Sequence, residues 1–360
     1  MRALSFLEVP IVQAPMAGAA TPELVAAVSN AGGLGSLPLG FTEPAQIAPL
    51  VARVRALTAR PFALNLFVDT SQPVDAGVLQ RAHDRLRPFR EELGLPHPPA
   101  PAVALLDSRA QYEAVLAERP AAFSFTFGVP PEDVLERCRA AGTVTIGTAN
   151  TVAEAVALER AGVDVICAQG FEAGGHHGSF AQPVEFSQIG TLALVPQVVD
   201  AVRVPVVAAG GIGDGRGVAA VLALGAAAAQ VGSAFLRADE AGIPAAFRAV
   251  LETPAAQRTI ITTTFSGRTA RGVHNAFMDA LAAVEEIAPY PYQHWLTRDI
   301  RTAAAEQGRA EYLSMWAGQA VGLGRALPAA AIVAELLGEA GRAAESARAS
   351  LDGRTADRPV

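Results

Sequence analysis

The stretch Val163-Asp164-Val165-Ile166-Cys167-Ala168-Gln169-Gly170-Phe171-Glu172-Ala173-Gly174-Gly175-His176-His177-Gly178 passes from an apolar segment into a glycine-rich loop with two histidines. Its first part reads as a strand buried on both faces of a parallel sheet, which is why its residues are mostly apolar and do not alternate. Glycines let backbone come close to a flat or phosphorylated ligand, and histidine is suited to moving protons near neutral pH. In α/β folds, chemistry gathers where strands end in such loops.

Strand-like and helix-like segments alternate on both sides of this stretch. Strands are expected at 10–16, 33–39, 62–68, 122–127, 143–148, 163–169, 204–211 and 227–235. The spacing predicts helices at 21–31, 42–58, 108–118, 131–141, 151–161, 190–202 and 215–224 between or beside them. Thr21 with Pro22 behind it is a helix start signal, and Gly32-Gly33 a stop. Eight such repeats over roughly 230 residues suit a closed (β/α)8 TIM barrel. A doubly wound open sheet is the alternative, and it would normally need fewer strands. The expected organisation is a barrel over 1–236, interrupted by a Pro-rich excursion at 69–106 with a helix near 76–93. A mostly helical substrate-covering region follows at 237–352, with helices at 276–287 and 303–313, and then a tail at 353–360.

Composition narrows the function. The 360 residues are 51% hydrophobic and 18% charged, which excludes a disordered chain or a coiled coil. A net charge of -7 argues against a nucleic-acid surface. All 28 basic residues are arginine, so Schiff-base chemistry, PLP attachment and a P-loop lysine are absent together. Cys138 and Cys167 form no metal spacing and no disulfide framework, as in a reducing cytosol. No apolar run is long enough to span a bilayer, and the chain reads as soluble and cytoplasmic.

Reading off the strand ends places Gln13 to Gly18, Asn65, Gln169 to His177, Gly210 to Gly213 and Gln230 to Ser233 on one rim. Loops after the seventh and eighth strands of a barrel commonly receive a phosphate, so Gly210-Gly211 and Gln230-Val231-Gly232-Ser233 form a candidate cradle. Asn65, Gln169 and Gln230 are neutral amides that could match a flavin edge; bridging adjacent strands is the plainer role for any one of them. Met16 could pack against a flavin ring or simply fill the core. A zinc site would need a third ligand beside His176 and His177, and Glu172 alone does not complete one. His176, directly after the glycine pair, is the candidate catalytic residue, with His177 its structural neighbour.

Together these pieces resemble the nitronate monooxygenase family, formerly the 2-nitropropane dioxygenases, in its bacterial FMN-dependent branch. The matching segments are Gln13-Ala14-Pro15-Met16-Ala17-Gly18, Asn30-Ala31-Gly32-Gly33-Leu34-Gly35, Asn65-Leu66-Phe67, Gln169-Gly170-Phe171-Glu172-Ala173-Gly174-Gly175-His176, Ala208-Ala209-Gly210-Gly211-Ile212 and Gln230-Val231-Gly232-Ser233. Trp316-Ala317-Gly318-Gln319 also looks like that branch. The resemblance implies a (β/α)8 flavoprotein that holds FMN through Met16, Ala17, Gly18, Asn65, Gln169, Gly174, Gly175, Gly210, Gly211 and the run Gln230 to Ser233. It implies His176 as the catalytic histidine. The implied reaction oxidises an alkyl nitronate with O2 to a carbonyl compound and nitrite, through single-electron transfer to the flavin. The implied partners are that small molecule and O2, in a monomer or homodimer without nucleic acid or membrane. Tyr290, Tyr292 and Tyr312 are candidates to line the pocket. An NAD(P)H-dependent FMN reductase of quinones or enoyl thioesters on the same barrel is the alternative.

Overall fold

Val12 bridges Leu34 in parallel and closes a ring of eight parallel strands. The structure is a computed structural model that describes residues 2–101, 103, 105–282 and 287–353. The staves are Ile11–Gln13, Gly35–Pro38, Phe62–Phe67, Ala122–Thr126, Val144–Ala149, Val165–Gln169, Val206–Ala209 and Ala228–Val231. All eight expected strands are present and form a (β/α)8 barrel. All but the fifth are shorter than their apolar runs suggested. After Gln13 the chain turns into loop, and Ser233–Phe235 is a 3-10 helix rather than strand. Inside the ring Val12, Ala63, Ile146, Cys167 and Val207 pack as a closed layer. Both thiols are free and buried, and burial pushes Cys138 up to about 11 and Cys167 up to about 12.

Several wall helices have starts that the local sequence specifies. Thr21 accepts the Leu24 N–H at 3.0 Å ahead of Pro22–Asn30, and Asp214 accepts from Arg216 and Gly217 ahead of Gly215–Ala223. Thr151 caps Val152–Arg160 by accepting the Glu154 N–H at 3.2 Å, and the Glu154 carboxylate in turn accepts the N–H of Asn150, just before the cap. Glu154 is fully buried yet satisfied, taking N–H bonds from Asn150, Phe180 and Ala181 at 2.7, 2.7 and 3.0 Å. It thereby pins the segment that follows the histidine loop.

The wall is completed from far along the chain. Ala329–Leu351 lies against Gly215–Ala223 and Pro22–Asn30, burying Ala329, Ile332, Val333 and Leu336 in the barrel's own core. It is the eighth wall helix, so the expectation that 237–352 is one covering region is corrected for this element. Its apolar stripe needs the groove between the first and seventh helices, which no local pattern announces. Of the expected tail at 353–360, residues 354–360 lie outside the described residues.

The covering region is partly β. Thr259–Thr262 and Ala270–Val273 form an antiparallel ribbon, and Gly175–His176 joins it as a third strand through Ala270↔His176 and Arg271↔Gly175. The expected helix at 303–313 instead runs Arg298–Glu306, where Ile300, Ala303 and Ala304 face inward, and Gly308 ends it at φ +70. Only Ala310–Tyr312 continues, as a 3-10 turn. The helix expected at 276–287 spans Ala276–Ala282, and residues 283–286 lie outside the described residues. The excursion helix splits at Leu86 into Ala76–Arg85 and Arg87–Glu92, because Pro88 has no N–H to continue it. Leu86 and Leu93 pack with Phe277, Leu296 and Ile300 in a second core over the barrel mouth. Among the described residues no helix is long and apolar enough to cross a membrane.

Candidate active site

The strand ends and the covering region enclose a cavity of about 730 Å³. Met16, Ala17, Gly18, Asn65, Gln169, Gly174, Gly175, His176, Gly210, Gly211, Gln230, Gly232 and Ser233 all line it. Val231 does not. It is fully buried in the eighth strand, and its carbonyl accepts the Ala14 N–H at 2.9 Å, so its side chain belongs to the core. This volume lies within the range of sites that hold cofactor-sized ligands.

The three amides differ in what they have left to offer. Asn65 gives its Nδ2 to the Ser124 carbonyl at 3.2 Å and to the Ser124 hydroxyl at 3.0 Å. Both amide donors are thus engaged, and its remaining function toward the cavity is as an acceptor. Gln169 staples its own loop. Its Oε1 accepts from Asn150 Nδ2 at 3.0 Å and from the Gly178 N–H at 2.8 Å, while its Nε2 donates to the His176 carbonyl at 3.1 Å. One Gln169 N–H remains for a ligand. Gln230, half-buried, sits where the eighth strand opens into the cavity.

Two kinds of demand explain the glycines. At Gly174 a Cβ would meet Gly318 N at 2.4 Å and Ala317 C at 2.5 Å, so the loop can touch the Trp316–Gly318 segment only with glycine there. Gly210 and Gly211 have φ of +103° and +72°, a backbone that L side chains rarely adopt. They and the start of the Ser233–Phe235 turn bring backbone groups to one end of the cavity, as an anion cradle requires. Ser233 Oγ accepts the Gly318 N–H at 2.8 Å, tying that end to the cover. Glu172 takes the Thr191 N–H at 2.9 Å and its hydroxyl at 2.9 Å. It therefore compensates the positive N-terminus of Thr191–Ala201.

The two histidines have separate environments. His177 is buried behind the loop, its ring edge-on to Phe171 at 5.2 Å, and does not border the cavity. His176 does, with Trp316 5.6 Å away and Phe67 6.0 Å away between ring centres. Burial first, then the Arg268 charge, lowers His176 to about 3, so its ring is neutral near pH 7. Its Nε2 lies 2.8 Å from Ser266 Oγ. With the single Ser266 proton on the Arg268 carbonyl at 3.1 Å, the hydroxyl accepts from His176, which then carries its proton on Nε2. The lone pair is left on Nδ1, and among the described residues no protein group bonds that atom.

Other site members were not visible in the sequence. Phe41, Ser266, His294, Arg298 and Arg301 line the cavity from the second-strand loop and the cover. The tyrosines proposed for the pocket do not border it. Tyr312 donates to Glu92 at 2.6 Å and Tyr292 to the Gln72 carbonyl at 3.1 Å, both fastening the excursion, while Tyr290 packs behind His176 at 5.9 Å.

Comparison with known proteins agrees with this geometry. The family described as nitronate monooxygenase matches residues 1–339. A probable nitronate monooxygenase of Staphylococcus aureus is 40% identical over 335 residues, covering 92% of this chain and 94% of its own. The nitroalkane oxidase of Streptomyces ansochromogenes superposes with a TM-score of 0.87 at 40% identity, covering 97% of this chain and 99% of its own. FabK of Thermotoga maritima is also similar, with a TM-score of 0.76 at 28% identity, covering 97% and 98%. The chain is an oxidoreductase and belongs to the nitronate monooxygenase family.

Proposed function

We propose that this enzyme holds FMN in the cavity and oxidises alkyl nitronates with O2, giving a carbonyl compound and nitrite. The residues present suit the group. Neutral amides at Asn65, Gln169 and Gln230 can match donors and acceptors on a ring edge, and Met16 offers an apolar contact beside Gly232. Gly210, Gly211, Gly232 and Ser233 would receive the phosphate end. Bound FMN would supply the electron acceptor for the oxidation.

The protein's own contribution starts with charge. Arg298 and Arg301 line the cavity and favour an anion such as a nitronate over a neutral molecule. Phe41, Phe67, Phe265 and Trp316 exclude water from the rest of the lining. The observation that carries the reading is the neutral His176 with Ser266 on its Nε2 in the same cavity as the glycine cradle. With its lone pair on Nδ1, His176 can remove an α-proton from a neutral nitroalkane; protonated there, it can steady a negative nitro oxygen.

The purified protein should be yellow and release FMN on denaturation. In anaerobic mixing, propyl-nitronate should bleach the flavin quickly and NADH or NADPH slowly. The reverse order overturns the nitronate reading and favours a nicotinamide-dependent reductase, and protein that cannot be loaded with flavin overturns both.

A further inference from the structure

His294 and Arg301 both border the cavity, yet the chemistry above gives His294 no task. The His294 ring lies flat on Phe41, with centres 3.7 Å apart and planes 5° apart. Arg301, on the next helix, donates its NH2 to the His294 carbonyl at 2.7 Å and to the ring Nδ1 at 3.4 Å, while its Nε reaches Thr297 Oγ1 at 3.3 Å. A guanidinium only donates. His294 Nδ1 is therefore an acceptor, and the ring proton is on Nε2. Phe41 covers one face, so the ring presents an edge with an N–H that no group among the described residues bonds.

Arg301 itself lacks a counter-ion. It forms no ion pair among the described residues, and Asp299, the carboxylate whose field reaches it, is bonded to Arg90 at 2.7 Å. A half-buried cation without a counter-ion is costly, and an anion arriving in the cavity relieves that cost. The neighbouring Arg298, exposed and set over Trp295, adds charge of the same sign.

We propose that His294 is a second substrate-facing histidine, whose Nε2–H, backed by the Arg301 charge, binds an anionic oxygen of the substrate. Arg301 is the positioning residue that fixes the tautomer. The proposal rests on the reading that the substrate is an anion in this cavity, and it adds a recognition group distinct from His176.

The test uses the flavin-loaded full chain with nitrate, a planar oxyanion, as a non-reacting probe in calorimetry, and propyl-nitronate in turnover. H294F keeps the stack on Phe41 but has no N–H. It should weaken nitrate by about tenfold or more and raise KM similarly, with kcat changed by less than about threefold. H294Q, which restores a neutral donor, should recover part of the loss. R301M should shift KM in the same direction and remove the single Nε2–H tautomer that 15N NMR should show for His294 in the unmodified protein; R301K should be intermediate. Nitrate affinity and KM in H294F within about twofold of the unmodified protein overturn the proposal, as does an unmodified protein that does not bind nitrate. If the unmodified protein binds nitrate through His294 but leaves propyl-nitronate untouched, the anion seat stands and the nitronate reading fails. Normal turnover unaffected in H294F has the opposite meaning.

Discussion

The Nε2 of His176 and the Oγ of Ser266 are 2.8 Å apart, although 90 residues separate them in the chain. The contact exists because Gly175–His176 pairs with Ala270–Arg271, which brings the turn before that strand over the barrel mouth. It also decides which ring nitrogen is available to substrate. Ser266→Ala should retain flavin and fold but lower kcat/KM for propyl-nitronate by about tenfold, equivalent to about 1.4 kcal/mol, with the larger part in kcat. Ser266→Thr should restore much of it. Steady-state kinetics with equal flavin loading checks this, and an unaltered kcat/KM in Ser266→Ala removes the tautomer argument.

Gly174 and Gly175 are adjacent but constrained differently. A methyl at Gly174 would press on Ala317 and Gly318 backbone, whereas at Gly175 it would meet nothing within 4 Å and suffer only from φ +73°. Gly174→Ala should cost roughly 3 kcal/mol, as overpacking against backbone does, and loosen cofactor retention. Gly175→Ala should cost about 1–2 kcal/mol. Urea denaturation of the two variants side by side measures the order; equal losses would mean that the loop does not seat on the Trp316–Gly318 segment as described.

Acid should weaken the fold before carboxylates are titrated. Burial lowers His176 to about 3 and His177 to about 4, against 6.5 for an ordinary histidine. The unfolded chain therefore takes up protons that the folded one refuses. Stability is complete above about pH 6.5 and is lost as pH falls from there toward 3–4, by up to about 1.4 kcal/mol per pH unit for each such histidine. His177→Phe, which keeps a ring against Phe171, should make the decline shallower. Denaturation midpoints between pH 7.5 and 4.5 test it, and a flat profile in the unmodified protein contradicts it.

Arg90 joins the excursion to the helix that carries Arg298 and Arg301. It is buried, bonds Asp299 at 2.7 Å and the Leu296 carbonyl at 2.8 Å, and also touches both His83 and His97 through one nitrogen. Arg90→Met should destabilise by roughly 3 kcal/mol, the scale for breaking a buried charged contact, and should speed proteolytic cleavage within 69–106. Cleavage at the unmodified rate would show that the excursion is held by apolar packing alone.

The sequence was most informative where a residue's task is local. Apolar runs located all eight strands, and Thr21 caps its helix as Pro22 behind it implied. The loop Gln169 to His176 lay on the same rim as Gly210 and Ser233 because a barrel puts every strand end there. What stayed hidden depends on distant partners. Ala329–Leu351 is a wall helix only because a groove waits between the first and seventh helices. Ser266, His294 and Arg301 have no local signature; a ribbon pairing and a stack on Phe41 bring them to the cavity. Val231 sits among the expected site residues in sequence, but strand alternation turns its side chain out of the barrel into the core beneath the wall helices, leaving Gln230 and Gly232 to line the cavity.

The most direct measurement is nitrite release from propyl-nitronate in air by the FMN-loaded enzyme and its His176→Asn variant. Nitrite should form with O2 consumption and without added nicotinamide. His176→Asn should keep its flavin and lose at least about tenfold in kcat/KM. No nitrite from the unmodified enzyme, or unchanged turnover in the variant, would contradict the account.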